Sequence, residues 1–292
     1  MVQGLNADQL RFFKHEGYLI VRKVLDDALC DAALDLLWSH LPPSVPLQRD
    51  VPESWQAPFH DAAISRNEGH LRVGDQWRLR EVSDHPVLIR LMYSDVLVAM
   101  GESLLGKGMV HVPDMTSEEP GDNHTGIRGI YNTLPQSDPG ESERPLPGFH
   151  TDGHPFHVGL VAFLDDVPPD GGGFQVWAGS HRLLYPTFIM QYDQPRIESY
   201  DHLPSFKGIW HTQAYRHAVP ELLKTKPVDC FGRRGDVIFW HHRVGHAGGY
   251  NYAGRIRHAV LADYSHKNLD LQRKSPPKGN MWEDWSPELQ NL

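Results

Sequence analysis

Two short stretches, almost a hundred residues apart, constrain this chain more than anything else in it. The first is GFHTDGHP, which carries His150, Thr151 and Asp152. The second is GDVIFWHHRVGHAGGYN, which carries His246 and is followed by Arg255 and Arg257. In an extended segment, residues i and i+2 leave the backbone on the same face. His150 and Asp152 can therefore meet one ion, and a third donor has to arrive from another strand. Two imidazoles and one carboxylate on adjoining corners, with the other positions open, are the protein ligands of a mononuclear non-haem Fe(II) centre that uses O2.

A His-x-Asp triplet alone carries little weight in a chain with 19 histidines. By itself it reads more economically as a hydrogen-bonded pair on a sheet. The distal stretch changes that balance. Gly235-Asp236 opens the apolar run Val237-Ile238-Phe239-Trp240, a short buried strand after a turn. The chain then reaches His246 and the turn-rich Gly248-Gly249-Tyr250-Asn251, and Arg257 leads into a further run from His258 to Tyr264. A guanidinium pairs with a carboxylate in a two-bonded fork, so an arginine here suits a cosubstrate carboxylate beside the ion.

The residues alone leave choices open. His154 shares strand parity with Asp152, and His242 shares it with His246, so either could replace its neighbour as a ligand. His157, His241 and His258 compete as well. Arg255 and Arg257, two apart on one strand, face the same side. Phe156, Phe163, Phe174 and Trp240 read as core. Trp177 is a candidate for lining a pocket, and Glu118, Glu119 and Asp122 read as a solvated loop.

Most of the chain resembles the phytanoyl-CoA dioxygenase family of Fe(II)- and 2-oxoglutarate-dependent oxygenases. LNADQLRFFKHEGYLIVRKVL is similar to that family's opening helix and strand. FHTDGHP resembles its first ligand strand, and VAFLDDVPPDGGGFQVWAGSHR its glycine-rich turn and Pro-Gly-Ser-His loop, which here reads Ala178-Gly179-Ser180-His181. GDVIFWHHRVGHAGGYN with Arg257 is similar to its second ligand and oxoglutarate-binding arginine. Gly248 stands where the family often has serine.

The resemblance implies His150, Asp152 and His246 as metal ligands and Arg257 as the cosubstrate anchor. Asn132 and Thr133, in GIRGIYNT, are then candidates to hydrogen-bond the cosubstrate. The implied cofactors are Fe(II), 2-oxoglutarate and O2, with oxoglutarate oxidised to succinate and CO2 as a substrate C–H bond becomes an alcohol. Related halogenases have a small residue in place of the carboxylate, so Asp152 points to hydroxylation or desaturation. The implied fold is mainly β with flanking α-helices, a double-stranded β-helix (a jelly roll, cupin-like). N-terminal helices buttress the larger sheet, and the metal lies between the sheets.

The rest of the chain fits around that core. Asn6 with Gln9 is a helix start, and Gly17 stops that helix. Tyr18 to Val21 reads as a strand, and Asp26 or Asp27 starts a longer helix through Leu29, Ala33, Leu36 and Leu37. Residues 86–105 return to a helical pattern. From about Met109 the apolar runs are short and punctuated by Gly, Pro and Asp, as β-strands in a barrel are. One domain over 1–292 is expected: a helical buttress over 1–108, a jelly-roll core over 109–266, an insertion over about 183–230, and a tail over 267–292 pinned by Trp282 and Trp285. Residues 43–82 show no sustained periodicity and read as a lid or as irregular structure.

Composition excludes several classes. A formal charge of −9 argues against nucleic acid as the main partner. No run is long enough for a transmembrane helix, and the N-terminus lacks the shape of a signal peptide. Two cysteines, Cys30 and Cys230, are no disulfide framework, and a reduced cytoplasmic setting is expected. The expected partner is a small molecule, an anionic one if Arg72, Arg78, Arg80, His211 or Arg216 faces it; surface ion pairs are the plainer reading of those residues. Two other function classes remain: a cupin-like metalloenzyme without oxoglutarate, and a non-catalytic protein keeping the metal as a relic. Arg257 argues against the first, because a buried arginine without a carboxylate is costly. The complete ligand set argues against the second.

Overall fold

The computed structural model describes residues 3–41, 45–56, 70–73, 75–119, 121–152, 156–187, 213–272 and 278–292; at 70–73 and 213–216 it describes the backbone alone. The N-terminal part runs α1 (Ala7–Glu16), β1 (Tyr18–Val21), α2 (Asp27–Ser39), β2 (His70–Val73), β3 (Gln76–Leu79), α3 (Pro86–Met92) and α4 (Asp95–Leu105). Then come β4 (Ile127–Thr133), β5 (Val158–Phe163), β6 (Phe174–Trp177), α5 (Ser180–Leu184), α6 (Gln213–Leu222), β7 (Val228–Cys230), β8 (Val237–His241), β9 (Gly245–Gly248) and β10 (Arg257–Tyr264). The short α7 (Leu269–Gln272) and α8 (Pro287–Gln290) close the chain.

Local chemistry explains the first elements. The Asn6 side chain accepts from the Gln9 amide at 2.9 Å, and Gln9 Oε1 accepts from the Asn6 amide at 2.9 Å. Such a cap contributes about 1 kcal/mol. Gly17 ends α1 at φ 79°, where a Cβ would be strained. Asp26 caps α2 through the Leu29 amide. The helical pattern of 86–105 proves to be two helices, because the chain turns at Tyr93-Ser94.

The strands form two antiparallel sheets. The larger has the order β1-β8-β5-β10-β4-β3-β2, and the smaller β7-β6-β9. Strand alternation divides the interior in two. Val158, Leu160, Val237, Phe239, Val260 and Tyr264 leave the larger sheet toward the helices, where Phe13, Leu37, Leu88, Leu97 and Leu104 cover them. Val161, Phe163, Ile238, Trp240 and Ala259 leave it on the other side and meet Phe174, Val176 and Cys230 of the smaller sheet. This is the jelly-roll arrangement, mainly β with flanking helices.

Parts of residues 43–82 have a structural role. β3 joins β4 edge to edge and β2 joins β3, with Trp77 and Leu79 fully buried. Residues 57–69 lie outside the described residues, so the lid expectation is left where it was. Trp282 and Trp285 are buried against Phe13, which ties the tail to α1. No helix among the described residues is long and apolar enough to cross a membrane.

Candidate metal centre

The two candidate ligand histidines are held side by side by their own backbones. His150 forms an isolated antiparallel bridge to His246 of β9, with N···O distances of 3.0 and 2.8 Å, and the ring centroids lie 4.3 Å apart. Asp152, two residues on, brings its carboxylate to the same spot. Asp152 Oδ1 is 3.9 Å from His150 Nε2 and 3.7 Å from His246 Nε2. One ligand atom from each residue lies within 4.8 Å of the other two. At the start of β9, the Gly245 amide donates to Ser180 Oγ at 2.7 Å, so the Ala178–His181 loop holds the strand that carries His246.

Both imidazoles are set as ligands by their second nitrogen. His150 Nδ1 is 2.9 Å from the Gly148 carbonyl, and His246 Nδ1 is 3.0 Å from the Val244 carbonyl. A carbonyl only accepts, so each Nδ1 carries the proton and each Nε2 presents its lone pair. Burial, with His150 beside it, pushes His246 down to about 3, so this ring is neutral at ordinary pH. Two imidazole nitrogens and one carboxylate oxygen converging on one point fit a first-row divalent metal with open positions.

The other carboxylate oxygen is already engaged. Arg128 Nη2 donates to Asp152 Oδ2 at 2.5 Å, while Nε and Nη2 grip Asp263 at 3.0 and 2.7 Å. A bulge brings Arg128 inward. On β10, Leu261 pairs with Gly129 and Ala262 with Ile127, so Arg128 is the extra residue. Gly129 has φ 116°, and a Cβ there would meet the Leu79 carbonyl oxygen. Without the bulge the parity of Tyr131 and Thr133 would turn Arg128 toward the helices; with it, Arg128 points between the sheets. Its guanidinium lies 5.3 Å from the Phe156 ring centroid and 5.7 Å from that of Trp240.

Arg257 opens β10 on the same face as Asp263. Its Nε donates to the Gly172 carbonyl at 3.0 Å, Nη1 to the Tyr131 carbonyl at 3.2 Å and Nη2 to Thr133 Oγ1 at 2.9 Å. Of five N–H groups, one on each terminal nitrogen remains, and among the described residues no carboxylate pairs with them. Burial lowers this guanidinium to about 10, partly offset by Asp165, so it stays charged.

The family model described as phytanoyl-CoA dioxygenase (PhyH) matches residues 13–259. The chain belongs to the phytanoyl-CoA dioxygenase family. Solved structures share the fold at low identity. AviO1 from Streptomyces viridochromogenes Tue57 gives a TM-score of 0.50 at 15% identity, over 92% of this chain and 98% of that one. EctD from S. alaskensis with bound Fe gives 0.50 at 16%, over 89% and 76%. The same enzyme with 2-oxoglutarate and 5-hydroxyectoine gives 0.50 at 15%, over 91% and 77%. No curated protein sequence matches the chain.

Within this member of the phytanoyl-CoA dioxygenase family, the remaining expected residues part ways. Thr133 touches Arg257, but Asn132 points to the opposite face. There its amide donates to the Trp77 carbonyl at 3.0 Å, and its oxygen is 2.8 Å from His258 Nδ1. Neighbouring residues of one strand cannot both face the site, so the expectation for Asn132 does not fit this geometry. Trp177 likewise turns away from the side of His246. It packs edge-on to Phe149 at 4.8 Å, beside Leu184 and Leu222, and donates to the Thr225 carbonyl. Arg78 and Arg80 both lie over the Tyr131 ring, at 5.1 and 5.8 Å from its centroid. His211 and His154 lie outside the described residues, as do the side chains of Arg72 and Arg216. Arg255 precedes β10 and is exposed.

Arg128 and Asp263 were not among the expected site residues. A signal for them exists: a lone glycine inside a strand pattern marks a bulge, and Gly129 follows Arg128. Asp263 is a carboxylate on the inward parity of an otherwise apolar strand.

Proposed function

We propose that this protein is a non-haem Fe(II)- and 2-oxoglutarate-dependent oxygenase that hydroxylates an unactivated C–H bond of a small molecule, releasing succinate and CO2. One observation carries the reading. A complete two-histidine, one-carboxylate donor set lies in the same inter-sheet space as an arginine with two N–H groups that no described residue takes up.

When bound, Fe(II) with 2-oxoglutarate and O2 supplies the oxidising power. The chain's own residues supply position. His150 and His246 offer lone pairs fixed by their Nδ1 bonds, and Asp152 offers Oδ1 between them. Arg257 is oriented by Gly172, Tyr131 and Thr133, so its remaining fork suits the far carboxylate of the dicarboxylate cosubstrate. Phe174 and Trp240 flank the His246 ring at 5.2 and 4.3 Å and give that side of the site an apolar wall. The carboxylate at Asp152 favours hydroxylation over halogenation, and wild-type turnover that chlorinates a substrate would refute that part. Arg78 and Arg80, stacked on Tyr131, suit an anionic group on the substrate.

The test is anaerobic. Fe(II) and then 2-oxoglutarate are added to apoprotein while the visible spectrum is recorded. A weak charge-transfer band requiring both additions, and weakened in Arg257→Ala, is the expected result. Metal binding without the band would favour a cupin-like enzyme that does not use oxoglutarate. No metal binding would end the enzyme reading.

A further inference from the structure

We propose that Arg128 is a positioning residue for the metal centre: by holding Asp152 Oδ2, it restricts this carboxylate to one ligating oxygen and so keeps a coordination position open. The inference rests on the metal reading above and goes beyond it.

A carboxylate with both oxygens free can bind a divalent metal through one or both. In this site the choice is made in advance. Oδ2 lies 2.5 Å from Arg128 Nη2, while Oδ1 faces the two Nε2 atoms. The arginine is itself held on its other side. Asp263 receives both Nε and Nη2, so the guanidinium cannot swing away without breaking a two-bonded pair. Phe156 and Trp240 lie beside it, and the bulge at Gly129 fixes where its side chain starts. Asp152 and Asp263 are buried and Arg128 is nearly so. Three charged groups in such a place are costly unless their geometry is fully paired, which makes the arrangement directional.

The consequence can be counted. A six-coordinate metal held by His150, His246 and one Asp152 oxygen, with a chelating 2-oxoacid bound, would keep one position open. A second Asp152 oxygen would take it. Arg128 thus protects the position that a diatomic ligand needs, without touching the metal.

The experiment uses the full-length Fe(II)-loaded protein under anaerobic conditions, with nitric oxide as the diatomic probe. Two signals are read separately: the oxoglutarate charge-transfer band, and the electron paramagnetic resonance signal of the nitric oxide adduct. Wild-type protein must give both; if it gives neither, the metal reading itself fails, and the Arg128 variants are not at issue. In Arg128→Gln the band is expected to persist while nitric oxide affinity falls about tenfold, the low end of what losing a ligand's supporting partner costs in metal affinity or activity. Asp263→Asn, which leaves Arg128 one neutral acceptor in place of a two-bonded ion pair and keeps Asp152, is expected to fall in the same direction by less. Arg128→Lys keeps one charge–charge contact and should recover part of the loss. Nitric oxide affinity within twofold of wild type in Arg128→Gln overturns the proposal. If that variant does not fold, unchanged affinity in Asp263→Asn overturns it equally.

Discussion

Two groups of histidines flank opposite faces of the larger sheet, and among the described residues only one of them brings its ligand atoms together with a carboxylate. Trp240 and His241 are consecutive on β8. Trp240 points between the sheets and meets His246 at 4.3 Å, whereas His241 points to the helices and stacks on Trp285 at 5.0 Å. Around His241 lie His181, His242 and Trp282, with His157 and His266 beyond. This outer group has more imidazoles than the metal centre, so clustering and burial do not make a ligand.

The difference lies in where the lone pairs go. In the outer group, the Nδ1 atoms of His157, His241 and His266 accept backbone amides of His266, Arg243 and Asn268, at 3.2, 3.1 and 3.0 Å. Their lone pairs are spent on turns. In the metal centre both Nδ1 atoms donate instead, and both Nε2 lone pairs face a carboxylate. His242 is the instructive intermediate. Its Nδ1 also donates, to the His157 carbonyl at 3.1 Å, but among the described residues no carboxylate pairs with it.

Exchanging ligand for look-alike gives the largest expected effect. His246→Ala should weaken Co(II) or Fe(II) binding more than about 100-fold, beyond the loss typical of a supporting residue. His242→Ala should leave affinity within about twofold while lowering stability. Metal titration of both variants decides; equal losses would erase the distinction between the two faces.

Next in size is the packing of the outer group. Trp285 is nearly fully buried against Phe13, His157 and His241. Trp285→Ala should cost about 3–5 kcal/mol in urea unfolding, the range for a large aromatic removed from a core. Its metal affinity should not change.

Acid should then act on stability. Burial lowers His181 to about 4 and holds His241 and His242 well below the ordinary value. Between pH 4 and about 6.5 the unfolded chain therefore binds more protons than the folded one, and stability is lost as pH falls through that window. Each lowered histidine adds to that loss. Asp165, which burial raises to about 7, acts with the opposite sign, as do Asp75 and Asp229, which burial also raises. Unfolding of the apoprotein at pH 7 and pH 5 measures the net, and a flat profile would contradict it.

The smallest effect belongs to the inner wall. Arg78→Gln should raise the KM for an anionic substrate about tenfold, with kcat and stability nearly unchanged, matching one charge-assisted contact of about 1.4 kcal/mol. An unchanged KM would remove the anionic group from the substrate reading.

The sequence made some of this legible and hid the rest for definite reasons. Asn6, Gly17 and Asp26 marked helix ends because capping is local chemistry. The apolar run at Val237–Trp240 gave β8, because a buried strand needs no partner to be recognised. Residues 70–79 did not read as strands, since an edge hairpin of four-residue strands carries too few apolar positions to show a period. Asn132 and Trp177 were misjudged as to face. Strand parity says which residues go together but not which side is the site.

By itself, then, the sequence determined the donor chemistry: which residue types could ligate a metal, that His-x-Asp could offer two of them together, and that an arginine stood ready for a carboxylate. Only the tertiary structure shows that His246 rather than His242 meets His150 and Asp152, that Arg255 is exposed, and that Thr133 rather than Asn132 touches Arg257. It also brought in Arg128 and Asp263. Those choices depend on contacts between strands distant in sequence, and on one extra residue that reverses the parity of β4. Neither is a local property of the chain.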